Sequence, residues 1–412
     1  MPRRVVVTGV GPITPIGTGK QAFWEGLQAG RSGVRRVDDQ IDLSGIDVLI
    51  GAPVVDFDPL SYMDQRRARR IDRATQFALA ATHHALADAE LSPSDLAPER
   101  AGVIAGTGIG GLETMQTSFT VLMESGPRRV SPFFVPRLMP NALAGQIAIE
   151  YGLRGPNFGV VSACASGAHA IGIAGDLIRS GVADCMVAGG AEAVLVRIAY
   201  AGFAQMGALS KRNDQPERAS RPFDRDRDGF VMGEGAGMLI LEEHGHAQAR
   251  GAHVYAELVG FGMSADAEHI TAPAEDGAGA VQAIRMALHQ AGLPAQAVDY
   301  INAHGTSTLL NDGAETVAIK SAIGEAAYRV KISATKSQIG HLLGAAGSVE
   351  AIATLLSMEY GFIPATLNYE HPDPKCDLDY TPQPVAIPIE VALSNSFGFG
   401  GQNATLLFRK VE

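Results

Sequence analysis

The chain predicts an α/β fold built from two similar halves. Short apolar runs at residues 4–7, 102–105, 185–188 and 238–241 read as buried strands, with helical patterns between several of them, as at 74–89 and 165–180. That alternation implies sheets covered by helices. The second observation is an internal echo. Gly102-Val103-Ile104-Ala105-Gly106-Thr107-Gly108 has a counterpart in Tyr300-Ile301-Asn302-Ala303-His304-Gly305-Thr306, and the small-residue segment 340–354 echoes the segment after Cys164. Each half ends in a glycine-rich turn leading to a strand, at 233–241 and 398–408. The polar stretch 243–251 then separates a half at residues 1–250 from a half at residues 251–412.

Composition bounds the setting. A chain of 412 residues, 46% hydrophobic and 19% charged, can bury a large core and is globular rather than disordered. No uninterrupted apolar run is long enough to span a bilayer. The opening Met1-Pro2-Arg3-Arg4-Val5-Val6-Val7-Thr8-Gly9 lacks the apolar core of a signal peptide and reads as a first strand. Three cysteines (Cys164, Cys185 and Cys376) form no disulfide framework, which suits a reducing cytoplasm. A formal net charge of −11 argues against general nucleic-acid binding.

Along the chain, the most informative stretch is Val160-Val161-Ser162-Ala163-Cys164-Ala165-Ser166-Gly167-Ala168-His169-Ala170. A β-branched pair runs into small residues and then into a helix-tolerant segment. The cysteine is therefore expected at, or just before, a helix N-terminus, where free N–H groups and the positive dipole end favour a thiolate. A buried packing cysteine is the commoner fate of a free thiol, and this segment alone does not choose between the two. Two histidines do. His304 follows the strand-like Val298-Asp299-Tyr300-Ile301, and His341 follows Val330-Lys331-Ile332-Ser333-Ala334 and a small-residue loop carrying Lys336. One cysteine and two histidines on strand-end loops are hard to assign to packing, and such partners need adjacency only in space.

Three tempting motifs fail on context. Gly106-Thr107-Gly108-Ile109-Gly110-Gly111 matches the dinucleotide G-x-G-x-x-G, but no second strand ending in an acid follows about 20 residues on. Glu124 is the nearest acid and reads as part of a turn. Asp224-Arg225-Asp226-Arg227-Asp228-Gly229 resembles a calcium loop, yet Glu234 falls one position short and arginines alternate with the aspartates, so a self-compensating loop is expected. Cysteines and histidines nowhere show zinc-ligand spacing, and no metal is expected.

Taken together, these segments resemble the β-ketoacyl-(acyl-carrier-protein) synthases of the elongating, decarboxylating type, especially the synthase II group. The likeness runs from Val5-Val6-Val7-Thr8-Gly9 through Ser131-Pro132-Phe133-Phe134-Val135-Pro136 and Arg221-Pro222-Phe223-Asp224-Arg225-Asp226-Arg227-Asp228-Gly229-Phe230 to Asn395-Ser396-Phe397-Gly398-Phe399-Gly400-Gly401. It implies the thiolase-like fold, two α/β halves in a five-layered arrangement, and a homodimer. It also implies an acyltransferase that elongates fatty acyl chains by two carbons. No cofactor is implied as bound, because the substrates ride on the phosphopantetheine of acyl carrier protein.

By resemblance, Cys164 is the acyl-accepting nucleophile, His304 and His341 are the two catalytic histidines, and Lys336 is the active-site lysine. Asp312, Glu315 and Glu350 stand at the supporting carboxylates. The backbone N–H groups of Cys164 and Phe399 would form an oxyanion hole, with Phe399 also acting as a gate. Thr306 and Thr308 match residues that hold the phosphopantetheine arm, and Ile109 and Phe203 fall where the acyl pocket is lined. Leu309-Leu310-Asn311 departs from the usual proline and glycine, and Gly207 stands where some relatives carry a docking arginine.

An acidic carrier needs a local basic patch on an acidic chain. Read as one helix, Arg66, Arg69, Arg70 and Arg73 share a face, and the first three match the family's docking positions.

Rival readings separate on single features. A thiolase needs a second cysteine on the late glycine-rich turn, where none stands, and Cys376 lies in a proline-rich loop. A non-catalytic chain-length partner would lack Cys164. A cysteine hydrolase does not explain the second histidine or Lys336. A polyketide ketosynthase shares most of the motifs and stays open.

Overall fold

The computed structural model describes residues 3–411; Met1 and Pro2 of the opening stretch, and Glu412, lie outside the described residues. Ten strands form the path of one mixed sheet: β1 (Val5–Thr14), β2 (Ala101–Gly106), β3 (Asn157–Val160), β4 (Cys185–Glu192), β5 (Gly235–Glu243), β6 (Ala256–Ala265), β7 (Tyr300–Asn302), β8 (Lys331–Ser333), β9 (Val391–Gly398) and β10 (Gln402–Arg409). Their spatial order is β8-β7-β9-β10-β6-β1-β5-β4-β2-β3, so the order β1-β5-β4-β2-β3 recurs as β6-β10-β9-β7-β8. Directions recur too. β2 runs parallel to β3 and β4, as β7 does to β8 and β9, while the remaining pairs in each set are antiparallel. The two sets join where β1 meets β6, at Val6–Glu257 and Val7–Ala256.

Five helices set the layers: α1 (Arg73–Asp88), α2 (Ser166–Arg179), α3 (Ala278–Ala291), α4 (Leu309–Ile323) and α5 (Ala346–Tyr360). α2 and α5 are buried together between the two half-sheets in the largest apolar cluster, with Ile171, Ile178, Ile352 and Leu356 at its centre. α1 covers the outer face of the first half-sheet and α3 and α4 that of the second. The result is helix, sheet, helix, sheet, helix, the thiolase-like arrangement.

The same device builds both outer contacts. Gly9 and Gly11 of β1 lie directly under the Ala85 and Ala81 carbonyls of α1, and Gly260 and Gly262 of β6 lie under those of Ala287 and Ala283 in α3. A Cβ at any of these glycines would collide with helix backbone, so strand glycine here marks close approach of a second backbone. Within the centre, Gly167 and Gly347 play this part for α2 and α5. That packing brings the ends of both inner helices together.

Candidate active site

Cys164 rides the turn between β3 and α2. A single 3-10 turn, Ala163–Ala165, precedes α2, so the sulfur sits at the helix N-terminal end. Ala163 has φ +49°, a left-handed setting that costs a residue with a Cβ about 1–2 kcal/mol. Ser166 holds the turn: its Oγ donates to Ala163 O at 2.7 Å and accepts from Ser162 N at 2.9 Å. His304 comes from the loop after β7, and His341 from the loop after the short helix Lys336–Ile339. Topology thus delivers three residues from three distant segments to one point. Cys164 Sγ and a nitrogen of each imidazole all lie within 4.8 Å of one another. His341 Nε2 is 3.1 Å from the sulfur, and the two rings meet edge-on with centroids 5.5 Å apart.

The two imidazoles carry their protons in the same place. His341 Nδ1 accepts from the Leu343 backbone N–H at 3.3 Å. Lys336 Nζ stands 3.3 Å from His304 Nδ1, donates to the His304 carbonyl at 2.6 Å and pairs with the Glu350 carboxylate. A ring nitrogen that accepts bears no proton, so each neutral ring keeps its N–H at Nε2. Neutral they are: burial pushes both histidines well below their ordinary range, and the Lys336 charge acts in the same direction.

Burial also governs the thiol, and here the sequence expectation is corrected. The Cys164 thiol is pushed up to about 11 by burial, against the opposing effects of Lys336 and of the Phe399 backbone N–H directed at it. A helix end favours the thiolate, but a cysteine only 6% exposed loses more hydration than that end returns. The resting group is a thiol. The Phe399 N–H is directed at the sulfur, and Gly398 brings its backbone close to Cys164 N.

The carboxylates hold the loops. Glu315 accepts from the His304 and Gly305 backbone N–H groups at 2.8 Å each. Asp312 accepts from Phe223 N at 2.8 Å and faces Arg227 at 3.4 Å. Burial raises Glu315 and Glu350 to about 7. Leu309-Leu310-Asn311 does not distort the loop: it is the first turn of α4, capped by Thr308, whose Oγ1 accepts from Asn311 N at 3.3 Å. Thr308 and Thr306 hydroxyls are 2.9 Å apart. Both line a cleft of about 330 Å³ that runs down past Phe399 to Cys164, His304 and His341, with Leu309, Leu310 and Met206 along its walls.

A thiol, two N–H-bearing imidazoles and a cleft fit for a slender thioester arm are now in one place. The profile described as "Beta-ketoacyl synthase, N-terminal domain" matches residues 2–247, and that described as "Beta-ketoacyl synthase, C-terminal domain" matches residues 255–370. The chain belongs to the beta-ketoacyl synthase family. It is similar to the "3-oxoacyl-[acyl-carrier-protein] synthase 2" of Synechocystis, 51% identical over 100% of this chain and 99% of the relative. The Vibrio cholerae protein of the same name is 48% identical over 99% of each chain. Among solved structures, a beta-ketoacyl synthase from Burkholderia phymatum superposes with a TM-score of 0.93 at 39% identity, covering 100% of both chains. A type II polyketide ketosynthase solved in complex with its acyl carrier protein gives 0.92 at 37% identity, again over 100% of both.

Some expected residues of this beta-ketoacyl synthase lie apart from the cleft. Ile109 and Phe203 do not line it. Phe203 packs edge-on against Phe230, which in turn meets the His341 ring, so it adjoins the apolar cluster that contains Cys164. The Ile109 side chain is exposed. The arginine reading needs correction. The chain forms a helix only over Gln65–Ala68, then starts α1 afresh at Arg73 with Asp72 as its cap. Arg73 is thereby turned inward to Glu234 at 2.7 Å, and the four arginines share no helical face. Arg66 and Arg69 stay exposed, while Arg70 lies over the Phe133 ring at 4.7 Å.

Glu192, at the end of β4, was missed. Its buried carboxylate accepts from Gly108 N at 2.6 Å, Gly344 N at 2.9 Å and Thr107 Oγ1 at 2.8 Å, tying the first glycine turn to the His341 loop. It occupies the N–H groups that a dinucleotide phosphate would need, which explains why that motif is no nucleotide site. Glu124, read as a turn, instead closes the helix Leu112–Ser125. The aspartate–arginine loop is not self-compensating: among the described residues only Arg225–Asp226 pairs within it, while Asp224 pairs with Arg221 and Arg227 reaches out to Asp312 and Asp373.

Proposed function

We propose that this protein is an elongating β-ketoacyl-carrier synthase, which joins a malonyl unit to an acyl group held on Cys164 with loss of carbon dioxide. The Cys164–His341–His304 cluster carries the reading. In the first half-reaction the sulfur attacks the acyl thioester, the pantetheine thiol leaves with the proton, and the Cys164 and Phe399 N–H groups hold the oxyanion. Two such donors supply the main stabilising term; losing one in other enzymes costs about 3–4 kcal/mol. In the second, malonyl thioester loses its carboxylate. The enolate oxygen then lies between the two Nε2–H groups while its carbon attacks the acyl carbonyl and Cys164 leaves. Neutral imidazoles suit this step because they donate without a metal.

Lys336 is assigned the orientation of His304, supported by Glu350, with Glu315 and Asp312 fixing the loop. Thr306 and Thr308 are assigned to the phosphopantetheine arm, and Ile109 and Phe203 to the acyl chain. The proposed partner is acyl carrier protein, which a polyketide relative was solved with, docking through Arg66, Arg69 and Arg70. The halves 1–250 and 251–412 are read as the two units, the first giving the nucleophile and the second both histidines; the recurring strand order supports this. Edge strand β3 and the exposed apolar side chains Ile109, Phe119, Phe133, Val135 and Phe158 support a homodimer. A cytoplasmic setting is part of the reading, since the thiol must stay reduced. The higher identity to the 3-oxoacyl synthases than to the polyketide enzymes favours fatty acyl elongation. Labelled malonyl-carrier incubated with acyl-carrier should give a β-ketoacyl-carrier two carbons longer. Decarboxylation with no new carbon–carbon bond in the wild type would sink the proposal.

A further inference from the structure

A buried sulfur and two imidazoles within 4.8 Å of one another have the ligand types of a Cys-His₂ zinc site, and the cleft gives a metal ion a way in. Soft divalent ions bind such donors tightly, and an ion on the sulfur would block acylation. The three residues come from segments far apart in the sequence, which is why no ligand spacing is visible there. Yet a zinc ligand needs a free nitrogen lone pair facing the metal. Here each lone pair is at Nδ1 and already engaged, by the Leu343 N–H for His341 and by Lys336 for His304.

For His304 the constraint is strict. Lys336 Nζ has three N–H donors and three acceptors within reach: the His304 carbonyl, the Glu350 carboxylate and His304 Nδ1. Flipping the imidazole proton to Nδ1, which would free Nε2 for a metal, sets N–H against N–H beside a fully buried cation. Ammonium nitrogen has no acceptor to offer in return. For His341 the same flip opposes the Leu343 backbone N–H, which lies 3.3 Å from Nδ1. We infer that Lys336, together with the Leu343 N–H, protects the catalytic thiol from metal capture by locking both imidazoles as donors. Outer-shell partners that raise ligand basicity strengthen metal sites by about 10–100-fold; this pair is arranged with the opposite polarity.

The test is zinc affinity, read by competition with a chromophoric chelator at pH 7.5, with cobalt(II) as the optical probe of thiolate coordination. Lys336→Gln keeps an amide donor for Glu350 while its carbonyl can accept from Nδ1–H of His304. Lys336→Met with Glu350→Gln removes the buried charges together, so neither is left unpaired. Circular dichroism and elution volume establish folding for each variant. Folded Lys336→Gln, or the double variant where the single does not fold, should bind zinc at least about tenfold more tightly than wild type. Its cobalt complex should show a sulfur charge-transfer band that disappears with Cys164→Ser. Wild-type binding as tight as the variant's would overturn the inference, and so would a folded variant with unchanged affinity. The wild type alone can also overturn it, if micromolar zinc shields Cys164 from alkylation.

Discussion

At Cys164 two effects oppose each other. The helix end and the Phe399 N–H favour charge on sulfur, and burial disfavours it; burial wins. Residue context in the sequence made the helix end legible, because small residues after a β-branched pair are a local signal. Burial was not legible, since the residues that share the apolar cluster and the cleft with Cys164, such as Phe230 and Leu343, come from elsewhere in the chain. The consequence is measurable. A thiol titrating near 11 has a thiolate fraction that climbs about tenfold per pH unit between pH 7 and 9. Iodoacetamide should therefore modify Cys164 with a rate that rises across that range without levelling, after subtraction of the Cys164→Ala background. A plateau by pH 8 would mean that the helix end dominates.

Elements position these residues, and glycine is the cause in the inner layer. A Cβ on Gly347 of α5 would meet Ser396 Oγ at 2.5 Å and Ala168 Cβ at 2.9 Å. Gly347→Val should destabilise the protein by about 1–3 kcal/mol in chemical denaturation. It should also slow condensation, because α5 follows directly on the His341 loop. Gly202→Ala, which meets nothing within 4 Å in its helix, should cause no loss of stability. A tolerated Gly347→Val would show that the two inner helices are not closely packed. Helix existence was legible from periodicity here, but helix limits were not always so. Arg66 to Arg73 reads as one amphipathic face until Asp72 caps a new helix and Glu234 draws Arg73 inward. The proposed docking is therefore assigned to Arg66 and Arg69 as single exposed charges and to Arg70 as a charge stacked on Phe133. Arg69→Glu with Arg70→Glu should raise the apparent KM for acyl-carrier, more at low salt than at high, and leave short acyl-pantetheine thioesters unaffected. Equal loss on both substrates would assign these arginines to the fold.

Across the whole molecule, repetition explains both how the chain folds and how its site is assembled. The strand order repeats, and so does the pairing of strand glycines with helix alanines, Gly9 and Gly11 with α1 and Gly260 and Gly262 with α3. A loose echo in the sequence carried the two similar halves, but neither the strand order nor these glycine contacts, which depend on segments distant in the chain. It could not show Glu192 stitching the halves at Gly108 and Gly344, because an acid at a strand end has no local signature. Nor could it show that apolar side chains such as Phe119 and, on β3, Phe158 stay exposed, the surface proposed for the homodimer. If that surface is a dimer interface, Phe119→Asp with Phe158→Asp should shift the mass by light scattering from twice the chain's 43.1 kDa to a single copy. An unchanged mass would place the contact elsewhere.

The central claim is that one sulfur carries the acyl group while two neutral imidazoles serve the other half-reaction. Intact-protein mass spectrometry after incubation with acyl-carrier tests it most directly, on the wild type, Cys164→Ala, His304→Ala and His341→Ala. The wild type and both histidine variants should gain the mass of one acyl group, the variants more slowly, and both should fail to condense it with malonyl-carrier. Cys164→Ala should gain nothing. An acyl adduct on Cys164→Ala at any other residue, or histidine variants that decarboxylate malonyl-carrier at the wild-type rate, would contradict the account.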